Sequence, residues 1–351
     1  MPNYNHFVVS NITKRHSTAV SKICIFAESL SDTGNLYKYT FGLIPKSPPF
    51  WRGRFCNGPV WVDHYTDYYA TKRISVENYS ASGAVCYLKN PFRGFVPFTA
   101  YNTIRSYKLR HRNAKHNKVL FIIWFGGNDY FQGMSEYDYC TTRVVQTIES
   151  MADDLISLGA ENFMFVNQPD FTLTPAHRVN NYPNLKNLII AHNNKLEQMA
   201  LKLIHKYPKI RVSFFNIFNI FQFLVNDLEA FNKHYGTKIK NTTTPYWAKL
   251  FTHGVSTMAG FDELAIKLRQ ESNPEWVGFD LHQTLEFLKN NPDVQEAMIL
   301  SDRMRYEVHA LTSDDPDEFV FWDRAHATKV IQKVISEEFI KFTDESFKFE
   351  N

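Results

Sequence analysis

The chain has 351 residues, is 44% hydrophobic and carries 30 Phe and 18 Tyr, which excludes a disordered protein and fits a packed globular one. A formal net charge of +3 gives no bulk support for binding nucleic acid. No run of about eighteen apolar residues occurs, so no transmembrane helix is expected.

In chain order, the first twenty residues contain Asn, His, Lys and Arg but no apolar stretch of the kind that opens a secretory leader. This reading expects a cytoplasmic protein, a mature form lacking its leader, or one exported by a signal-independent route. Apolar and β-branched runs predict strands over Lys22 to Phe26, Ile74 to Val76, Val119 to Phe125, Asn162 to Asn167 and Ile210 to Phe215. Helical periodicity lies between them, over Val60 to Ala70, Tyr137 to Gly159 and Asn184 to Lys206. The last of these aligns Leu188, His192, Leu196, Met199 and Leu203 on one face. Repeated strand-to-helix alternation predicts an α/β domain with a parallel sheet, whose ligand crevice lies outside the carboxyl ends of the strands.

From Phe231 to Glu318 the pattern changes to polar turns (Thr242-Thr243-Thr244-Pro245) and helical stretches near Phe261 to Arg269, Leu281 to Lys289 and Pro292 to Leu300. The division expected is an N-terminal tail over 1–21, a core over 22–230, a mostly helical lid over 231–318 and a closing segment over 319–351. Trp247, Leu250, Phe251, Trp276 and Phe279 are the lid's apolar candidates. A final helix over Val330 to Phe342 should pack the preceding loop against the sheet. The cysteines Cys24, Cys56, Cys86 and Cys140 all lie in the first half, show no metal-ligand spacing with the histidines, and fit a disulfide-free protein. The basic run from Arg105 to Lys118 reads as a solvated helix face.

Four segments carry chemistry. Ala27-Glu28-Ser29-Leu30 closes the first predicted core strand and places a serine where helix-end amides favour a nucleophile. Ser82-Gly83 follows the second strand, where a glycine brings a free N–H close to a ligand. Gly126-Gly127-Asn128-Asp129 ends the most apolar strand, and the Asn128 amide can donate into the space beyond. Asp323-Arg324-Ala325-His326 puts a carboxylate within reach of an imidazole Nδ1, which leaves Nε2 free as a base. Taken alone, the Gly126–Asp129 segment fits an ordinary turn equally well, and each of the other three fits an ordinary turn or helix cap better. Ser31 is the competing nucleophile and reads better as a loop residue.

In this order the four segments resemble the blocks of the GDSL lipases, or SGNH hydrolases. Ser47-Pro48-Pro49-Phe50 and the run from Gly53 to Val62 are similar to the bacterial phospholipase, lysophospholipase and glycerophospholipid:cholesterol acyltransferase subgroup. Gln168-Pro169-Asp170-Phe171 and His192-Asn193-Asn194 also match it. The resemblance implies a flavodoxin-like three-layer fold and a triad of Ser29, Asp323 and His326. It further implies an oxyanion hole of Ser29, Gly83 and Asn128, and substrate contacts at Trp51, Phe55 and Asn57. It calls for no cofactor and no metal. The partners it implies are phospholipid or lysophospholipid substrates, a membrane surface and a sterol acceptor. Two alternatives stay open: a small-ester or carbohydrate deacetylase, and a catalytically weak lipid-binding relative. The chain departs from the pattern at Ala27-Glu28, where Gly-Asp is usual, and at Ala327, where proline is usual. Alanine takes positive φ poorly and Glu reaches one methylene further than Asp, so the departure raises the question of how well Ser29 is placed.

Overall fold

The structure, a computed structural model, describes residues 7–10, 19–39, 42, 45, 47–86, 99–131, 136–182, 184–246 and 315–350. The lid helices and the lid's five apolar candidates fall outside these residues. A six-stranded sheet comprises β1 (Phe7–Ser10), β2 (Lys22–Ala27), β3 (Ser75–Asn78), β4 (Val119–Trp124), β5 (Asn162–Val166) and β6 (Arg211–Phe215), in the order β1-β6-β5-β4-β2-β3. The five strands from β2 to β6 run parallel in the flavodoxin-like order, and the chain reverses direction across the sheet between β2 and β4. The predicted strand ends agree with the observed ones to within two residues.

Two expectations are corrected here. Phe7–Ser10, assigned to a tail, adds an antiparallel edge strand to β6, with Phe7 opposite Phe214. Asn241–Pro245, read as polar turns, forms β7, which pairs in parallel with β8 (Phe319–Phe321) as a separate two-stranded sheet. Its β-branched threonines suit a pleated strand once Phe319–Phe321 supplies a partner.

Both faces of the sheet's centre are covered, so its central strand β4 is apolar at every position and all six of its residues are buried, whereas the edge strand β3 carries Ser75, Glu77 and Asn78 and has no buried residue. Cys24, Phe26, Phe121 and Ile123 face one layer, formed by α3 (Ala100–His111), α5 (Tyr137–Ser157) and α7 (Leu185–Lys206). Ile23, Ile25, Ala27, Ile122 and Trp124 face the other, formed by α2 (Trp61–Thr71) and the terminal helix α10 (Lys329–Ser346). Shorter helices are α1 (Asn35–Tyr39), α4 (Gly127–Phe131), α6 (Pro175–Asn180), α8 (Ile217–Asn226) and α9 (Leu228–Tyr235). All four cysteines are buried and unbridged. Among the described residues no helix is long and apolar enough to cross a membrane.

The terminal helix is held by aromatic packing and a polar clamp. Phe339 stacks on Trp61 at 4.1 Å and on Phe215 at 4.0 Å, bridging α2 and the sheet. Asp344 accepts from Tyr68, Tyr69 and Lys72 of and beside α2, and Tyr65 donates to Thr343. Phe339→Ala should cost about 3–5 kcal/mol, the usual range for emptying a fully buried aromatic site. Urea unfolding with an unchanged m-value checks this; a loss below about 1 kcal/mol would show that the site collapses around the gap.

Candidate active site

The register fixes where the site can form. Ala27, the last residue of β2, pairs with Trp124, the last of β4. Ser29 and Gly126 each follow that pair by two residues, at the point where strand order reverses. The turn after β2 is a single 3-10 turn over Ser29–Ser31. Asp32 ends it by accepting with Oδ1 from the Gly34 and Asn35 N–H groups. Its Oδ2 accepts from the N–H of Leu36 and from both the N–H and hydroxyl of Ser82. This one buried carboxylate ties the serine turn to the Gly83 segment. Asn78 and Asn35 add side-chain bonds across the same gap.

His326 arrives from the opposite end of the sequence. The loop after β8 closes through Trp322 N–H to His326 O at 2.8 Å and Thr328 N–H to Val320 O at 2.9 Å. Within it Asp323 Oδ1 accepts the N–H groups of Ala325 and His326 at 2.8 and 2.7 Å. Asp323 Oδ2 stands 2.8 Å from His326 Nδ1, and His326 Nε2 stands 2.9 Å from Ser29 Oγ. An Nδ1–H donated to the carboxylate leaves Nε2 as acceptor for the serine hydroxyl. Asp323 and His326 are buried at 7% and 3% exposure, which strengthens every charge interaction between them.

Gly83 takes a φ of +75° and Gly126 a φ of +127°, conformations that suit glycine. A Cβ on Gly126 would also meet His192 Cε1 at 2.8 Å. His192 is buried, bonds Tyr130 through Nδ1 at 2.6 Å, and stays neutral because burial lowers its pKa to about 3. The Asn128 amide donates to Ala84 O at 3.0 Å, one of its two N–H groups. Gln168 and Asn193 exchange two bonds, and Gln168 donates to Phe125 O, which supports this loop from below.

Some sequence-derived roles change. Ser31 is fully buried and accepts from Trp61 Nε1 at 2.9 Å, so the competing nucleophile is tied into the core. Phe55, expected as a substrate contact, is 1% exposed and packs its ring 4.8 Å from that of His326. Asn57, expected likewise, accepts the first N–H of α10 at Lys329 at 2.8 Å and so anchors the helix that follows the histidine. Trp51 is half-buried, with the Arg52 and Arg54 guanidinium groups each 5.1 Å from its ring. Ala27 is not in the positive-φ region, so alanine fits there without strain. Asp32, Trp61 and Glu28 were not singled out as site residues. The Asp32-x-Gly34-Asn35 spacing is the signature of a side-chain-capped turn and could have revealed the first. Among the described residues no group of His, Cys, Asp and Glu is placed to hold a metal ion.

Over 335 residues the chain is 25% identical to the phosphatidylcholine-sterol acyltransferase of Aeromonas hydrophila, covering 94% of this chain and 92% of that protein. It is 24% identical over 227 residues to the thermolabile hemolysin of Vibrio parahaemolyticus, and 26% identical over 214 residues to the secreted effector protein SseJ of Salmonella typhimurium. Those matches cover 64% and 59% of this chain, and 52% and 49% of those two proteins. The family described as GDSL-like Lipase/Acylhydrolase matches residues 26–339, nearly the whole described core, and the chain belongs to that family of acyl-ester enzymes.

Proposed function

We propose that the protein is a serine acyl hydrolase of phospholipids and lysophospholipids that works through Ser29, His326 and Asp323. The observation that carries this reading is the continuous relay from Asp323 Oδ2 through His326 to Ser29 Oγ, with links of 2.8 and 2.9 Å. In the proposed reaction Ser29 Oγ attacks the ester carbonyl while His326 Nε2 takes its proton. Asp323 holds the ring and stabilises the imidazolium. The oxyanion is received by the N–H groups of Ser29 and Gly83 and the second N–H of the Asn128 amide. Each such donor is typically worth about a hundred- to a thousandfold in rate. The alcohol leaves with the proton from His326 and an acyl-serine remains. Water or another alcohol then attacks the acyl carbon and gives its proton to His326; the bond to Ser29 Oγ breaks as His326 returns that proton to it, releasing a fatty acid or a new ester.

The same acyl-serine serves hydrolysis and transfer, and the chain-long similarity to a phosphatidylcholine-sterol acyltransferase favours a sterol hydroxyl as a second acceptor. Trp51 retains the proposed role of substrate contact. The test is fatty-acid release from lysophosphatidylcholine, phosphatidylcholine vesicles and para-nitrophenyl acetate, each with and without cholesterol, for wild type and Ser29→Ala. Serine-dependent release from the long-chain lipids is expected, with cholesteryl ester formed when cholesterol is present. Turnover of acetate alone would replace this reading with a small-ester esterase. Equal binding of vesicles by both proteins with no turnover would replace it with a lipid binder.

A further inference from the structure

Glu28 stands between the nucleophile and the asparagine loop, and its side chain spans the gap. Its Oε1 accepts from Gly126 N–H at 2.5 Å and its Oε2 from Asn128 N–H at 3.3 Å, across about a hundred residues of sequence. The loop presses closely on it, since a Cβ on Gly127 would meet Glu28 Oε2 at 2.9 Å and the Phe171 ring at 2.9 Å. The acceptor thus touches the backbone of the very residue whose side chain is the proposed oxyanion donor, while its own backbone joins Ser29. Nothing comparable links Ser29 to Asn128 through the sheet, because ladder pairing ends at Ala27 and Trp124.

We propose that Glu28 is a positioning residue that sets the distance between Ser29 and the Asn128 donor, with its length matched to this loop. It rests on the serine-hydrolase reading above. The longer side chain is then a fitted part of this site rather than a defect in it, and Ala27, free of positive φ, accompanies it without strain. Burial and the neighbouring Asp129 carboxylate push the Glu28 pKa up to about 8, against the pull of the Gly126, Gly127 and Asn128 amides. Cys86 and Tyr130 also face it and feel its charge. A buried carboxyl with so costly a charged form is consistent with a group kept for geometry and not for ionic attraction.

The experiment is a double-mutant cycle on a soluble long-chain para-nitrophenyl ester. Glu28→Asp should lower kcat by about ten- to a hundredfold with KM within about twofold, because a small misplacement of a reacting or charge-stabilising group costs that much. Glu28→Gln keeps the length and one acceptor oxygen and should retain kcat to within about fivefold. In an Asn128→Ala background Glu28→Asp should cost less than about threefold, since the donor it positions is gone. Full additivity, or an aspartate variant better than the glutamine variant, would overturn the proposal. The rate of fluorophosphonate labelling of Ser29 gives the same comparisons independently of ester turnover. Wild type that labels but releases no alcohol would sink the proposed substrate class and leave this cycle readable. A Ser29 that does not label at all would overturn both.

Discussion

Ser29→Ala and His326→Ala should each reduce kcat by about four to six orders of magnitude, and the double variant should be no slower than the worse single one. The reason is that neither group has chemistry to offer without the other. A serine hydroxyl at neutral pH is a poor nucleophile until Nε2 accepts its proton, and the imidazole has no proton to take once the oxygen is gone. The 2.9 Å contact between them makes the pair one functional unit. What survives in all three variants should be the weak acceleration supplied by the oxyanion donors and by substrate binding. Rates on a soluble ester, with melting temperatures to show that the fold is intact, decide the matter. Losses that multiply would mean that the two residues act in separate steps, and the triad would fall.

Asp323→Asn should lower kcat by about 10⁴-fold while leaving the loop in place. Asp323 does two jobs with two oxygens. Oδ1 accepts the Ala325 and His326 N–H groups and shapes the turn, while Oδ2 lies nearest to the imidazole Nδ1. Asparagine keeps an acceptor oxygen for the backbone but turns an N–H₂ donor toward Nδ1. The ring must then carry its proton on Nε2, where it can no longer receive one from Ser29. Asp323→Ala removes both jobs and should match the rate loss while also lowering the melting temperature. An asparagine variant retaining more than a tenth of wild-type activity would show that the carboxylate does not set the tautomer.

What could be read from the sequence was local. The strands announced themselves because both sheet faces are buried, and the Asp323–His326 pair because it spans a single turn. The resemblance supplied what spacing alone could not, the meeting of Ser29 with a histidine 297 residues away. Phe7–Ser10 escaped because four residues carry too little periodicity, and Asn241–Pro245 because its strand character depends on a partner beyond residue 315. Phe55 and Asn57 were assigned to substrate by the resemblance alone. Their neighbours, His326 and Lys329, come from the far end of the chain and turn them into supports. Glu28 stood out only as a departure from the usual Asp, because the Gly126 and Asn128 amides that it accepts from follow a different strand.

The four buried cysteines divide between the two faces of the sheet: Cys24, Cys86 and Cys140 lie in the layer of α3, α5 and α7, and Cys56 in that of α2 and α10. Burial pushes the Cys24 and Cys56 thiols up to about 12 and raises that of Cys86 as well, so these three present almost no thiolate to solvent, and Cys140 is buried with them. Alkylation of the native protein therefore reports opening events and not surface chemistry. Cys56, one residue before the anchor of α10, senses release of the histidine-bearing end of the chain. Cys140, in the first turn of α5, senses loosening behind the asparagine loop. The order in which a thiol reagent reaches them under mild denaturant would tell which half of the catalytic constellation comes apart first, with no probe added to the protein.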